Sequence, residues 1–473
     1  MATLAWARAA IGAASSALAA AVFAVLDVVD VVLCVVYALL DGILEESPVR
    51  CYCRNRPEPE PEPEEEEEGM SDTLYARRSA IRDALLGLVV RRRRRTPAVK
   101  WRSSPRWSDC ACKSCVAWQQ GRGERLHVVV KEPDPSTKGI TLLAFFANAA
   151  SGTSAVFIHG FTSSSSFWAE TVFREGSSLL HSSTRLLAVD LLGFGQSPKP
   201  GNCMYTLKDH VEAIERTLLI DPPPHNNLMS SFHLVGHSMG CIIALALAAK
   251  HPTRVKSITL VAPVSTTVAL NLGDFHSNVL LVDPLVAWQP YFLACEQKAA
   301  SQVALRRLAE KKLWPPLLFG SAVMSWYEHI GRTVCLVLCK NHLLWEWLLR
   351  LVTGKRDVDF RVRDLTRHTH HSAWHTMHNV ICGGAALQDA NLEAVQAAAI
   401  PVMLIHGVDD PVVPVDCSRH HLKAKLPRAQ LRLIPGCDHT TVVSGRERSF
   451  AQELTAFWSS GCSVLASHNR SSG

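Results

Sequence analysis

Residues 9 to 40, AAIGAASSALAAAVFAVLDVVDVVLCVVYALL, are apolar apart from Asp27 and Asp30. As one helix they would run about 48 Å at 1.5 Å per residue, longer than a ~30 Å hydrocarbon core. Segment 1–47 is therefore expected to be a targeting or anchoring element. It is either a cleaved secretory signal, with Ala17-Leu18-Ala19 as the small-residue site, or an uncleaved membrane anchor. A buried core helix fits less well, because nothing amphipathic surrounds the run. Arg8 precedes it, and Asp41, Glu45 and Glu46 follow. That asymmetry favours a cytosolic N-terminus, with the rest of the chain translocated and either secreted or held on the extracytosolic side.

Further along, strand-like and helix-like patterns alternate. RLHVVVKEP and ITLLAFFANA read as strands, SAVFIHGF, LLAVDLLGFG and FHLVGHS as short buried ones. TLKDHVEAIERTLL and CIIALALAAKHP have helical periodicity, and Pro252 closes the second. VKSITLVAPV, IPVMLIHGVDD and QLRLIPGCDHT supply later strands. Strand–helix–strand order implies a mostly parallel sheet covered on both faces. The core is expected over 125–263 and 381–462, with a tail at 463–473. Residues 264–380 form an insertion holding 6 of the 12 tryptophans, including Trp288, Trp314, Trp326, Trp345 and Trp347. Insertions of that length between two strands are usually lids, so a mainly helical cap is expected.

Charge changes the picture mainly between 48 and 124, expected to be a disordered linker. PEPEPEPEEEEE favours an extended chain, and the arginine run 91–95 reads as a solvated face that offsets it, or else as a basic helix on an anionic surface. The net charge of +6 and the lack of a basic, aromatic-interleaved stripe argue against nucleic acid as a partner. The 15 cysteines are scattered except for Cys110, Cys112 and Cys115 in DCACKSC. No second pair stands at zinc-ribbon spacing, so these are expected to be thiols or disulfides, and no metal or cofactor is assigned. The histidines in HTHHSAWHTMH (His368, His370, His371, His375, His378) have no acidic ligand among them and read as a polar helix face at the edge of the cap.

Gly236-His237-Ser238-Met239-Gly240 lies where an apolar strand meets an apolar helix. That context defines the nucleophile elbow, in which the serine is lifted above the sheet by a turn too tight for side chains at either glycine. A serine hydroxyl attacks only with a base beside it and an acid to orient that base, in the chain order serine, acid, histidine. His439, after the last strand, is the expected base. Asp410 in HGVDDPVVP is the expected acid, with Asp409 its competitor, and Asp438 is expected to be a turn residue. Oxyanion donors are expected from the N–H groups of Met239 and of Phe161, the latter after the AVFIHG strand. Ser163 to Ser166 read as a solvated loop.

Taken together, FIHGFTSSSSFW, AVDLLGFGQSPKP, LVGHSMGC, HGVDDPVVP and GCDHTTVV resemble the α/β-hydrolase superfamily over roughly 125–460. This implies an α/β-hydrolase fold with a mostly parallel central sheet and an inserted, mainly helical cap. The long apolar N-terminus, Cys241, SWYEH and HTHHSAWHTMHN are similar to the plant BODYGUARD group of probable lysophospholipases. That resemblance implies an extracellular epidermal protein, associated with the cell wall or the membrane through its N-terminal region, needed for cuticle formation and the deposition of cutin. The aromatic-rich lid suits an acyl chain, each buried methylene contributing ~0.8 kcal/mol. The expected activity is therefore a serine esterase or lipase acting on lipid or hydroxy-fatty acyl esters. Two other readings stay open: acyl transfer to a cutin monomer through the same triad, and a lipid or hormone receptor on a hydrolase scaffold.

Overall fold

The computed structural model describes residues 2–45, 106–120, 125–132, 153–176, 180, 184–219, 231–264, 324, 327–384 and 388–468, with side chains from 21 to 460. In chain order the elements used below are α1 (Ala2–Leu44), α2 (Lys113–Gln120), β1 (Val128–Lys131), β2 (Ser154–Ile158), β3 (Arg185–Val189), α3 (Leu207–Ile214), β4 (Phe232–His237), α4 (Met239–Lys250) and β5 (Val255–Val261). Then come α5 (Glu328–Val337), α6 (His342–Thr353), α7 (His370–Thr376), α8 (Gln388–Ala397), β6 (Val402–Gly407), β7 (Gln430–Ile434) and α9 (Glu447–His468). The expected strand at 140–149, most of the acidic and arginine-rich tract, and Trp288, Trp314 and Trp326 lie outside the described residues.

The strands form one sheet in the order β1-β3-β2-β4-β5-β6-β7. β1 runs antiparallel to β3, and every other neighbouring pair is parallel. Every residue of β2, β4 and β6 is buried, which explains why these strands read as continuous apolar runs rather than alternating ones. One core lies on the face covered by α3, α4 and α8. The other lies under Phe167, Trp168, Phe173 and α9. α3 starts with a capping box in which Thr206 and Asp209 satisfy each other's backbone N–H groups.

The described part of the cap docks on the loop that follows β3. Ser372 Oγ donates to the Gly193 carbonyl at 2.9 Å, Asn379 Nδ2 to Met204 O at 2.7 Å, and His371 Nε2 to Cys203 O at 2.9 Å. This corrects the expected polar face at the cap edge, because His370, His371, His375 and His378 are all buried. Burial lowers His371 to about 4 and keeps His370 and His375 far below the usual range, so these rings pack as neutral aromatic bodies. His371 and His375 lie with ring centroids 4.3 Å apart. Ser164 and Ser165 are likewise buried rather than solvated.

α1 is the one described helix long and apolar enough to cross a membrane, over Ala21–Leu44. Its two faces differ. Phe23, Asp27, Asp30, Val31, Tyr37 and Asp41, spaced by helical turns, are buried. Tyr327 OH donates to Asp27 at 2.8 Å, the His329 N–H to Asp30 at 3.0 Å, and Tyr37 OH pairs with Thr333 Oγ1 at 2.9 Å. Arg332 grips both oxygens of Asp41 at 2.7 Å. The aspartates that interrupt the apolar run are thus contacts to the start of the cap's α5. Val25, Val28, Val32, Leu39 and Ile43 stay exposed on the other side. The linker expected over 48–124 is also interrupted: Arg106 and Trp107 both reach Asp41, at 2.8 and 2.6 Å, and order the stretch 106–120 beside α1.

Candidate active site

Ser238 sits between β4 and α4 with φ 53° and ψ −120°, a conformation that L-residues hold only when their surroundings impose it. Two things impose it here. The Ser238 N–H donates to Val261 O of β5 at 2.9 Å, and the flanking glycines admit close backbone approach. A Cβ on Gly236 would stand 2.7 Å from the Gly240 carbonyl oxygen, and one on Gly240 would stand 2.5 Å from that of Ile158. Both glycines are therefore required sterically.

His439 and Asp410 meet from separate loops after β7 and β6. His439 Nδ1 lies 2.7 Å from Asp410 Oδ2. The other carboxylate oxygen accepts the N–H groups of Val412 and Val413 at 2.8 and 2.9 Å. Burial would raise this carboxyl, but His439 and His406 overcome it and hold Asp410 well below the usual carboxylate range. Donating Nδ1–H to a carboxylate leaves His439 Nε2 with its lone pair free to accept a proton. Asp409 is exposed and its backbone N–H goes to Cys437 O, so Asp410 is the neighbour brought to the histidine. Asp438 accepts from the N–H groups of Thr440 and Thr441 at 2.8 and 2.7 Å, shaping the turn that carries His439.

Met239 is the first residue of α4. N–H groups in a helix's first turn have no intrahelical acceptor, so the one at Met239 is available to a ligand. Phe161 follows β2 in the neighbouring loop, half-buried, with its ring 5.8 Å from that of Phe194.

Three supporting residues were not singled out in the sequence. His237 Nε2 donates to the backbone carbonyl of His439 at 2.8 Å, and its ring stacks on Phe167 at 4.7 Å. Burial first, and His439 second, lower His237 to about 3, so it is a neutral strut behind the His439 loop. His406 contacts both Ser418 Oγ, at 2.7 Å, and Val413 O, at 3.0 Å, behind Asp410. Asp190, after β3, accepts from the N–H groups of Ser165 and Gln196 and lies 3.0 Å from His127. Burial opposes its charge, but those partners bring it down to about 2, and it ties the Phe161 loop to the β3 loop. Their signal in the sequence was position alone, each being polar at the end of an apolar strand. The cap joins the same loop, where Ser164 Oγ donates to Asp364 at 2.6 Å.

The family model described as the alpha/beta hydrolase fold matches residues 156–445. The chain is 43% identical to a protein named "Probable lysophospholipase BODYGUARD 4" of Arabidopsis thaliana, over 91% of this chain and 93% of the relative. It is 39% identical to "Probable lysophospholipase BODYGUARD 5" of the same plant, over 90% of this chain and 91% of that one. With "Probable lysophospholipase BODYGUARD 1" it shares 42% identity, over 77% of this chain and 68% of the relative. The chain is therefore a hydrolase of the α/β-hydrolase family and, within it, belongs to the BODYGUARD group.

Proposed function

We propose that the protein is a serine hydrolase of lipid or hydroxy-fatty acyl esters. Ser238 attacks the ester carbonyl, His439 takes the serine proton and returns it to the leaving alcohol, and Asp410 orients His439 and stabilises its cation. The N–H groups of Met239 and Phe161 receive the charge that develops on the carbonyl oxygen. The observation that carries this reading is the 2.7 Å contact between His439 Nδ1 and a buried Asp410, in a chain whose elbow serine is held at positive φ. The names of the relatives support a lysophospholipid-like ester, and the BODYGUARD resemblance supports a role in building the plant cuticle.

The reading extends to location. α1 stays with the mature protein, since three of its aspartates hold the cap, and its exposed valines and leucines face lipid at the extracytosolic side. In α6, Leu344, Trp347, Leu351 and Val352 are exposed as well, an apolar patch suited to a membrane or a lipid aggregate.

Labelling of the purified chain with a fluorophosphonate probe tests the nucleophile. Labelling is expected in the wild type and absent in Ser238→Ala. A probe signal unchanged by Ser238→Ala, or none in a wild type with a cooperative melt, would overturn the reading. Product analysis of a labelled acyl ester with glycerol present then separates hydrolysis from acyl transfer, since both share the acyl-enzyme.

A further inference from the structure

The Cys110, Cys112 and Cys115 thiols lack a partner pair in sequence, but the fold brings His342 to them from the cap. Their sulfur atoms and His342 Nε2 all lie within 4.8 Å of one another. His342 Nε2 is 3.7 Å from Cys112 Sγ and 3.4 Å from Cys115 Sγ. A tetrahedral zinc ion with bonds of about 2.3 Å to sulfur and about 2.05 Å to nitrogen requires sulfur-to-nitrogen edges of about 3.6 Å. The observed edges straddle that value. From this geometry we propose that Cys110, Cys112, Cys115 and His342 form a closed Cys3His zinc site, a structural staple remote in role from the serine chemistry.

Two independent features of the surroundings fit a metal. First, the Cys112 N–H points at Cys110 Sγ at 3.5 Å and the Cys115 N–H at Cys112 Sγ at 3.4 Å. Backbone donors aimed at sulfur favour the thiolate form that a metal requires. Second, His342 Nδ1 lies 3.2 Å from Glu346 Oε1 one helical turn on, and both residues are buried. A carboxylate behind the remote ring nitrogen fixes the tautomer whose Nε2 lone pair faces the sulfurs, as in most zinc-bound histidines. Arg350 contacts the other carboxylate oxygen of Glu346 at 3.3 Å and holds it in place. On binding, three thiols lose their protons to solvent and nothing is oxidised or reduced. Soft thiolates with one imidazole in a tetrahedral array select zinc over magnesium or calcium.

The site lies where the 106–120 stretch already meets the cap, through Ser108 Oγ, which accepts from Arg332, and the Trp107 carbonyl, which accepts from Lys340 at 2.6 Å. The stretch bearing the thiols also bears Arg106 and Trp107, which hold Asp41 of α1, while His342 opens α6 of the cap. Zinc would lock the α1 side of the chain to the cap. A second grouping, Cys335, Cys339 and His368, offers three donors among the described residues, one short of a closed structural site, and serves as an internal control.

The test uses the full chain purified in detergent under reductant, dialysed against zinc-free buffer and assayed for metal by mass spectrometry. About one zinc per chain is expected, falling below about a tenth in Cys112→Ser and in His342→Ala and unchanged in Cys335→Ser. Glu346→Gln keeps all four ligands and is expected to weaken zinc about 10- to 100-fold in competition with a chelator. Should the ligand variants fail to fold, cobalt exchanged into the wild type is expected to show thiolate charge-transfer bands and strong tetrahedral d–d bands. Zinc absent from a cooperatively melting wild type, zinc that survives both ligand variants or follows Cys335 instead, absent cobalt bands, or a disulfide mapped among the three cysteines would each overturn the proposal.

Discussion

Asp410→Asn probes the catalytic reading most directly, because it alters charge and tautomer while keeping shape. Asp410 uses one oxygen for the N–H groups of Val412 and Val413 and turns the other to His439, at 2.7 Å, with His406 Nε2 3.2 Å from the same oxygen. An asparagine must keep its oxygen on the two backbone donors, since its NH2 group cannot accept from them. That NH2 then faces His439 Nδ1 and donates to it, so the imidazole proton moves to Nε2, the nitrogen that must receive the Ser238 proton. The expected loss in kcat is about 10⁴-fold, the size found for the same exchange in other serine triads, or about 5.5 kcal/mol of transition-state stabilisation. KM should change little, because the acid does not touch substrate. The assay is hydrolysis of p-nitrophenyl acyl esters, with a thermal melt to verify the fold. Turnover within tenfold of the wild type in a folded variant would refute the reasoning, and a matching collapse in Asp409→Asn would reassign the acid.

Asp364, a buried residue of the cap, has its carboxyl raised to about 6, first by burial and then by Asp190, against the Ser164 hydrogen bond. A raised acid binds its proton more tightly in the folded state, so it costs stability as pH rises from about 4, the unfolded value, through about 6. Asp364→Asn is therefore expected to match wild-type stability near pH 4 and to exceed it by up to about 3 kcal/mol above pH 6.5, read from paired melts across that range. A difference independent of pH would refute the assignment. For α1, Asp41→Ala leaves the Arg332 guanidinium buried without its carboxylate and is expected to destabilise the α1–cap contact by about 3–5 kcal/mol. Faster proteolysis of the 106–120 stretch would register the loss, and unchanged cleavage would show that the contact is unimportant in solution.

Much of the site was legible because the α/β architecture puts its chemistry at strand ends, where an apolar run stops at a marked residue. The elbow glycines, Ser238, His439 and the pair Asp409–Asp410 all stand at such ends, and the alternation of strand and helix periodicities around them implies the mostly parallel sheet, though not the order of its strands. The choice between Asp409 and Asp410 was only a preference in the sequence, since neighbouring residues in a loop differ in direction rather than in chemistry. Directions come from contacts, here the Val412 and Val413 N–H groups that turn Asp410 inward.

Where the sequence reading departed from the structure, the missing quantity was a long-range contact. Asp27, Asp30 and Asp41 look like blemishes in an anchor until α5 is placed beside them. The cap histidines look polar until their helix is laid on the loop carrying Cys203 and Gly193. The DCACKSC thiols look isolated because His342, which the fold sets beside them, is more than two hundred residues away. Periodicity and turn chemistry are local and can be read along the chain, so the sequence by itself determined the mostly parallel sheet and which marked residues stand at the ends of its strands. Burial and the pairing of distant polar groups depend on how helices from separate segments pack, so only the tertiary structure decided which aspartate faces His439, which face of α1 is covered and what stands opposite the three cysteines.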